Sequence, residues 1–264
     1  MLDLPAPAPQ VAPMFPIRDH NPSGRTPYVT YALMVANIGI FVAYWPLFSD
    51  ARALNQFYYQ YAMIPALVTE HGAVETMFSS MFLHGGVMHL AGNMLFLWIF
   101  GDNMEDKMGH IGYLLFYLVC GIGAAAAHVA AAPYSPIPTV GASGAIAGVM
   151  GGYLLLFPKA RVDILIILII LIRIITIPAW IMLALWFGLQ IFGGAGMDAN
   201  EGGVAYWAHA GGFVIGAVLT LPVFLRLGGA RFWQQTHGTP PHPETRYRYA
   251  SSSIPKVSRK WPRR

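Results

Sequence analysis

Apolar residues in this chain fall in long, nearly unbroken runs separated by short polar or charged turns, not at the three-and-four spacing of a half-exposed helix. Runs of this kind read as membrane-crossing helices, since a hydrocarbon core of roughly 30 Å needs about 20 apolar residues in helical form. Six segments follow from the pattern: Tyr28 to Phe48, His84 to Met104, Ile111 to Ala132, Thr139 to Pro158, Pro178 to Phe192 and Val204 to Leu225. The expected architecture is all-α, a six-helix membrane bundle over residues 28–225. A disordered, proline-rich lead-in over 1–27 precedes it and a basic polar tail over 226–264 follows. Asp50 to Gly86 is a long connection rich in aromatic residues, which suits an interfacial, partly membrane-dipped element. Ile164 to Ile177 is isoleucine-rich but interrupted by Arg173, whose placement at mid-membrane would cost about 2.5 to 3.5 kcal/mol, so Ile164 to Thr176 is set apart from the spans. That piece is therefore expected at the interface, with the fifth span starting near Pro178.

The second segment breaks the pattern. Its apolar part, Val87 to Phe100, would reach only about 21 Å, so the turns carrying His84, His89 and Asn93 must lie within membrane depth. Polar groups there are expensive unless they face the bundle interior or a wet cavity, and they are functional candidates for that reason. The fourth segment carries one serine, Ser143, followed by glycines at 144, 148 and 152. The sixth carries one histidine, His209, followed by Gly212 and Gly216. Stripes of small residues let helix backbones approach closely, and packing these two brings Ser143 to His209, as a serine nucleophile and its base require. Asn93, His89 and the Ser143 N–H are available donors for an oxyanion. No Asp or Glu falls within the apolar runs, so a Ser/His dyad is expected in place of a triad. His84, beside Gly85 and Gly86, reads as a supporting or interfacial polar group, Gly141, Gly144 and Gly212 as structural, and His128 as packing.

Composition narrows the class. Of 264 residues 56% are hydrophobic and 11% charged, which marks a multi-pass membrane protein in contact with the lipid bilayer. A single cysteine, Cys120, leaves no disulfide framework and no thiolate metal site. His84, His89 and His209 could supply nitrogen ligands, but there is no HExxH and no intramembrane carboxylate, so neither a metal nor a cofactor is expected. The net charge of +4 comes from the tail and reflects topology more than nucleic acid, and no nucleic-acid partner is expected. Lysine and arginine fall almost entirely on the side of the two termini, which places both in the cytoplasm. The pattern specifies no oligomeric state.

Taken together, GASGAIAG around Ser143, the H-x4-H-x3-N pattern of His84, His89 and Asn93, and AHAGG around His209 resemble the rhomboid intramembrane serine proteases. The resemblance runs from Tyr28 to Leu225. It implies a six-helix bundle with a water-filled cavity open to the non-cytoplasmic face, and cofactor-free hydrolysis of peptide bonds in or near the transmembrane helices of membrane-protein substrates. It also implies Ser143 as nucleophile, His209 as base, and His89 and Asn93 as oxyanion stabilisers, in what is expected to be a bacterial inner (cell) membrane. Two departures stand out. Ala147 occupies a position where some members carry a tyrosine packed on the catalytic histidine, and Glu75 to Ser80 reads ETMFSS where some carry a Trp-Arg pair. The competing reading is a non-catalytic binding or quality-control member of the same fold, or a transporter using the polar cavity.

Overall fold

A computed structural model of the chain describes residues 14–168, 171–196 and 205–238. Strand β1 (Met14–Asp19) leads into helix α1 (Tyr28–Tyr44), which tightens into a 3-10 turn over Trp45–Ser49. The long connection folds into three short helices, α2 (Ala51–Tyr61), α3 (Pro65–His71) and α4 (Thr76–Ser79). Next come α5 (Val87–Met108), α6 (His110–Ala131) and α7 (Ser143–Leu156). A hairpin of β2 (Arg161–Leu168) and β3 (Leu171–Pro178) precedes α8 (Ala179–Gly196), α9 (Tyr206–Arg226) and the short α10 (Ala230–Thr236).

Among the described residues, four helical segments are long and apolar enough to cross a membrane: Tyr28–Ser49, α6, α8 and α9. Thr76–Phe82 and α5, bent by 92° at their junction, supply a fifth if taken as one broken span. The six-span expectation counted the serine segment as well, but α7 has 14 residues and reaches about 21 Å. It is buried along almost its whole length and sits at the centre, packed on α5, α6 and α9. A helix apolar all round belongs in such a place.

Close approach of α7 and α9 rests on glycine. A Cβ at Gly212 would overlap the carbonyl oxygen of Gly144, and one at Gly216 would overlap the backbone of Gly148. The third expected stripe position, Gly152, faces the side chains of Met104 and Thr220; it is Gly151 that meets the α9 backbone, at Phe213. Tyr113, Tyr117, Tyr153 and Phe100 fill the interior between the helices.

Three expectations are corrected. The chain is mostly helical but not all-α, because β1, β2 and β3 form an antiparallel sheet in that order. Residues 14–19 of the presumed disordered lead-in are strand β1, paired with β2 from Met14 opposite Ile166 to Asp19 opposite Val162. Proline misled the reading there: Pro16 sits in an edge strand, at an irregularity in the register, where a missing N–H is tolerated. Within Ile164 to Thr176 the described residues belong to the paired strands β2 and β3, because β-branched isoleucine suits an extended backbone. The tail also begins with structure, since Phe232 of α10 is buried beside Phe157. The rest of the lead-in (1–13), most of the glycine-rich loop before His209 (197–204) and the rest of the tail (239–264) lie outside the described residues.

Candidate active site

Antiparallel α5 to α9 bring the first turns of α5, α7 and α9 to one end of the bundle, opposite the sheet. Ser143 is the first residue of α7 and His209 the fourth of α9. The paired glycines hold these helices close enough that Ser143 Oγ lies 2.7 Å from His209 Nε2. Because α7 starts at the serine, the N–H groups of its first turn have no intrahelical carbonyl to bond, and they sit at the positive end of the helix dipole beside the hydroxyl.

His89 and Asn93 lie one turn apart at the start of α5. The Gly85 N–H donates to His89 Nδ1 at 3.3 Å, so a neutral ring carries its proton on Nε2. That nitrogen faces Gly141 and the serine: a Cβ on Gly141 would lie 2.9 Å from His89 Nε2 and 3.4 Å from Ser143 Oγ. Gly141 also has a φ of 133°, so both the space and the backbone require glycine there. The amide of Asn93 donates one hydrogen to the His89 carbonyl at 3.1 Å and has a second to offer. His84 is fully buried, with its ring edge-on to His89 at 5.2 Å and its carbonyl accepting from the hydroxyls of Tyr44 and Tyr58. It meets the site at the His89 ring.

A cavity of about 500 Å³ opens over these groups, lined by His89, Asn93, Ser143, His209, Trp186 and His128 among others. His128 thus reaches the cavity wall from α6 and is not the simple packing residue expected from its place near a span end. Sequence reading also passed over two residues of α8. Gln190 Oε1 lies 2.8 Å from His209 Nδ1, and the Trp186 ring lies 5.7 Å from the imidazole at 34°. The signal for Gln190 was present, since it is the one amide or charged side chain in an otherwise apolar helix. Ala147, the position at which an aromatic partner for the histidine is absent, is fully buried on α7. Among the described residues no group of three or more His, Cys, Asp or Glu side chains is gathered as metal ligands would be.

Comparison with known proteins places this end of the chain in a recognised context. Residues 71–226, which include Ser143, His209, His84, His89, Asn93 and Gln190, match the family model for the rhomboid domain. The chain is 44% identical to the rhomboid protease GluP of Bacillus subtilis (strain 168) over 72 residues, which is 27% of this chain and 14% of that protein. It is 27% identical to the mitochondrial rhomboid protein 1 of Saccharomyces cerevisiae over 199 residues, 72% of this chain and 51% of that protein. With RHOMBOID-like protein 4 of Arabidopsis thaliana it shares 33% over 144 residues, 54% of this chain and 32% of the relative. The chain therefore spans about half, or less, of the length of these relatives, which come from bacterial, fungal and plant sources.

Proposed function

With more than half its length matched by the rhomboid domain, the chain belongs to the rhomboid family, and we propose that it is an intramembrane serine endopeptidase working through a Ser143/His209 dyad. The observation that carries this is the 2.7 Å contact between Ser143 Oγ and His209 Nε2 on the wall of a cavity. In this reading Ser143 attacks a substrate carbonyl while His209 takes the hydroxyl proton and returns it to the leaving amine; water then hydrolyses the acyl-enzyme. The oxyanion sits between the first-turn N–H groups of α7, the free N–H of Asn93 and His89 Nε2. His84 and Gly141 hold His89 in place. Substrates are transmembrane proteins whose helices unwind locally, because a helical peptide bond is shielded by its own hydrogen bonds.

The architecture that serves this is a domain of six spans over residues 28–225, with α7 as a short central span, both termini in the cytoplasm and the cavity open to the other side. Residues 226–264 form a basic cytoplasmic tail. The test is labelling of the full chain by a fluorophosphonate together with cleavage of membrane-anchored reporters. Ser143→Ala and His209→Ala are each expected to abolish both without shifting the unfolding midpoint. Asn93→Ala is expected to slow turnover by about 10- to 1000-fold, the loss of one oxyanion donor. A wild-type chain that neither labels nor cleaves would instead favour a non-catalytic or transport role.

A further inference from the structure

We infer that Gln190 is the positioning residue of His209, fixing which ring nitrogen is the base; the inference rests on the Ser/His reading and adds a third member to it. The Gln190 amide lies between two partners. Nε2 donates to the Trp186 carbonyl at 3.2 Å, and Oε1 lies 2.8 Å from His209 Nδ1. A carbonyl oxygen only accepts, so the NH2 end of the amide must face Trp186 and Oε1 must face the histidine. Oε1 in turn only accepts, so Nδ1 must carry the proton. A neutral imidazole protonated at Nδ1 has its lone pair on Nε2, the nitrogen 2.7 Å from Ser143 Oγ. The run from the Trp186 carbonyl through Gln190 and His209 to Ser143 therefore has one consistent direction of donors and acceptors, ending with a base aimed at the nucleophile.

Burial makes the arrangement obligatory. Gln190 is only 8% exposed, and without His209 its oxygen would be a desolvated acceptor inside an apolar helix. Trp186 is one turn earlier on the same face of α8 and lays its ring against the imidazole, so one helix holds His209 both in its plane and across it. Among the described residues no carboxylate takes this place and Ala147 offers no ring, which leaves α8 as the element that orients the base. Any shift of α8 away from α9 would break the contact.

The test uses the full chain in micelles with a membrane-anchored peptide substrate, comparing Gln190→Leu, which removes the acceptor, with Gln190→Glu, which keeps it. Gln190→Leu is expected to lower kcat by about 10- to 100-fold with KM within twofold, whereas Gln190→Glu retains more than a tenth of wild-type kcat. Nitrogen NMR of 15N-histidine protein, with His209 assigned by its alanine variant, should show the proton on Nδ1 in wild type and in Gln190→Glu but not in Gln190→Leu. The inference is overturned if Gln190→Leu keeps wild-type kcat, if both variants fail equally with an unchanged tautomer, or if wild-type His209 carries its proton on Nε2. A wild-type chain that does not cleave sinks the protease reading instead, and the tautomer measurement then still judges Gln190 on its own.

Discussion

Gly216→Ala isolates the contact on which the geometry of the site depends. A methyl group there would overlap the Cα, carbonyl carbon and oxygen of Gly148, and backbone cannot swing aside as a side chain can. Overpacking of this kind costs about 1–3 kcal/mol, against which the better helix propensity of alanine returns about 0.5–1 kcal/mol. The net expectation is a loss of about 1 kcal/mol, within a range of about 0–2.5 kcal/mol. Gly39→Ala in α1 is the control: its Cβ would meet nothing within 4 Å, so only the propensity gain remains. Helicity measured during SDS titration in mixed micelles should therefore rank Gly39→Ala above wild type and Gly216→Ala below it. Catalysis should respond too. His209 is two turns from Gly216, about 10 Å along α9, and prying the helices apart by about 1 Å would stretch the 2.7 Å serine–histidine contact beyond hydrogen-bonding range. Displacements of that order cost up to about 100-fold in rate. If Gly216→Ala proves as stable and as active as Gly39→Ala, the helices are not held by this backbone contact.

Two further predictions concern the opposite end of the bundle. Glu105, at the end of α5, accepts from the N–H groups of Val29 and Thr30 at 2.9 and 2.8 Å and from the Thr30 hydroxyl at 2.8 Å, so it caps α1 from far along the chain. Glu105→Ala should lower stability by about 1–3 kcal/mol in the same titration, and no change would mean the cap is supplied elsewhere. Docking of β1 should depend on pH with two signs. Burial raises the Asp19 carboxyl from 3.8 to about 7 despite the hydrogen bond from Tyr153, with Asp102 adding to the rise, so its contribution is complete at low pH and lost as pH climbs through 7. Bonds from Thr176 and His20, with Arg18 nearby, hold Asp163 below its ordinary value, so its contribution is lost as pH falls through that lowered range. Protection factors of the β1 amides, corrected for the intrinsic pH dependence of exchange, should peak at roughly pH 4 and fall progressively to about pH 7, and Asp19→Asn should flatten that fall. A flat wild-type profile from pH 5 to 9 would contradict the role given to Asp19.

Much of the site was legible because polar side chains inside apolar runs are costly and few. Ser143, His89, Asn93 and His209 stood out for that reason, and the glycine stripes said which helices would bring two of them together. Gln190 obeyed the same rule and was passed over, since a lone amide in a membrane helix gains meaning only from the partner across the interface. The hairpin was hidden for a different reason. A run of isoleucine and leucine has no period, so helix and strand cannot be told apart from spacing, and the pairing of β2 with β1 joins residues far apart in the chain. The length of the fourth segment was not legible: the apolar stretch from Thr139 to Pro158 contains a helix of only 14 residues, because the chain enters α7 through Gly141 at a positive φ and turns at Ala142.

That shortness has a mechanical consequence. The last turns of α7 are tied down at the sheet end, where the Tyr153 hydroxyl donates to Asp19 at 2.8 Å and Phe157 packs on Phe232. A helix of about 21 Å anchored at that end stops roughly 9 Å short of the far side of a hydrocarbon core. Ser143 therefore sits at the bottom of a recess, not at a surface, and the missing turns of helix are the space that the cavity occupies. Extending α7 towards Thr139 would fill the recess, remove the unbonded N–H groups from beside the serine, and displace Gly141 from the backbone conformation that admits His89. In the proposed reading, the nucleophile, the donors for an oxyanion and the room for an unwound chain thus share one origin, the point at which this helix begins.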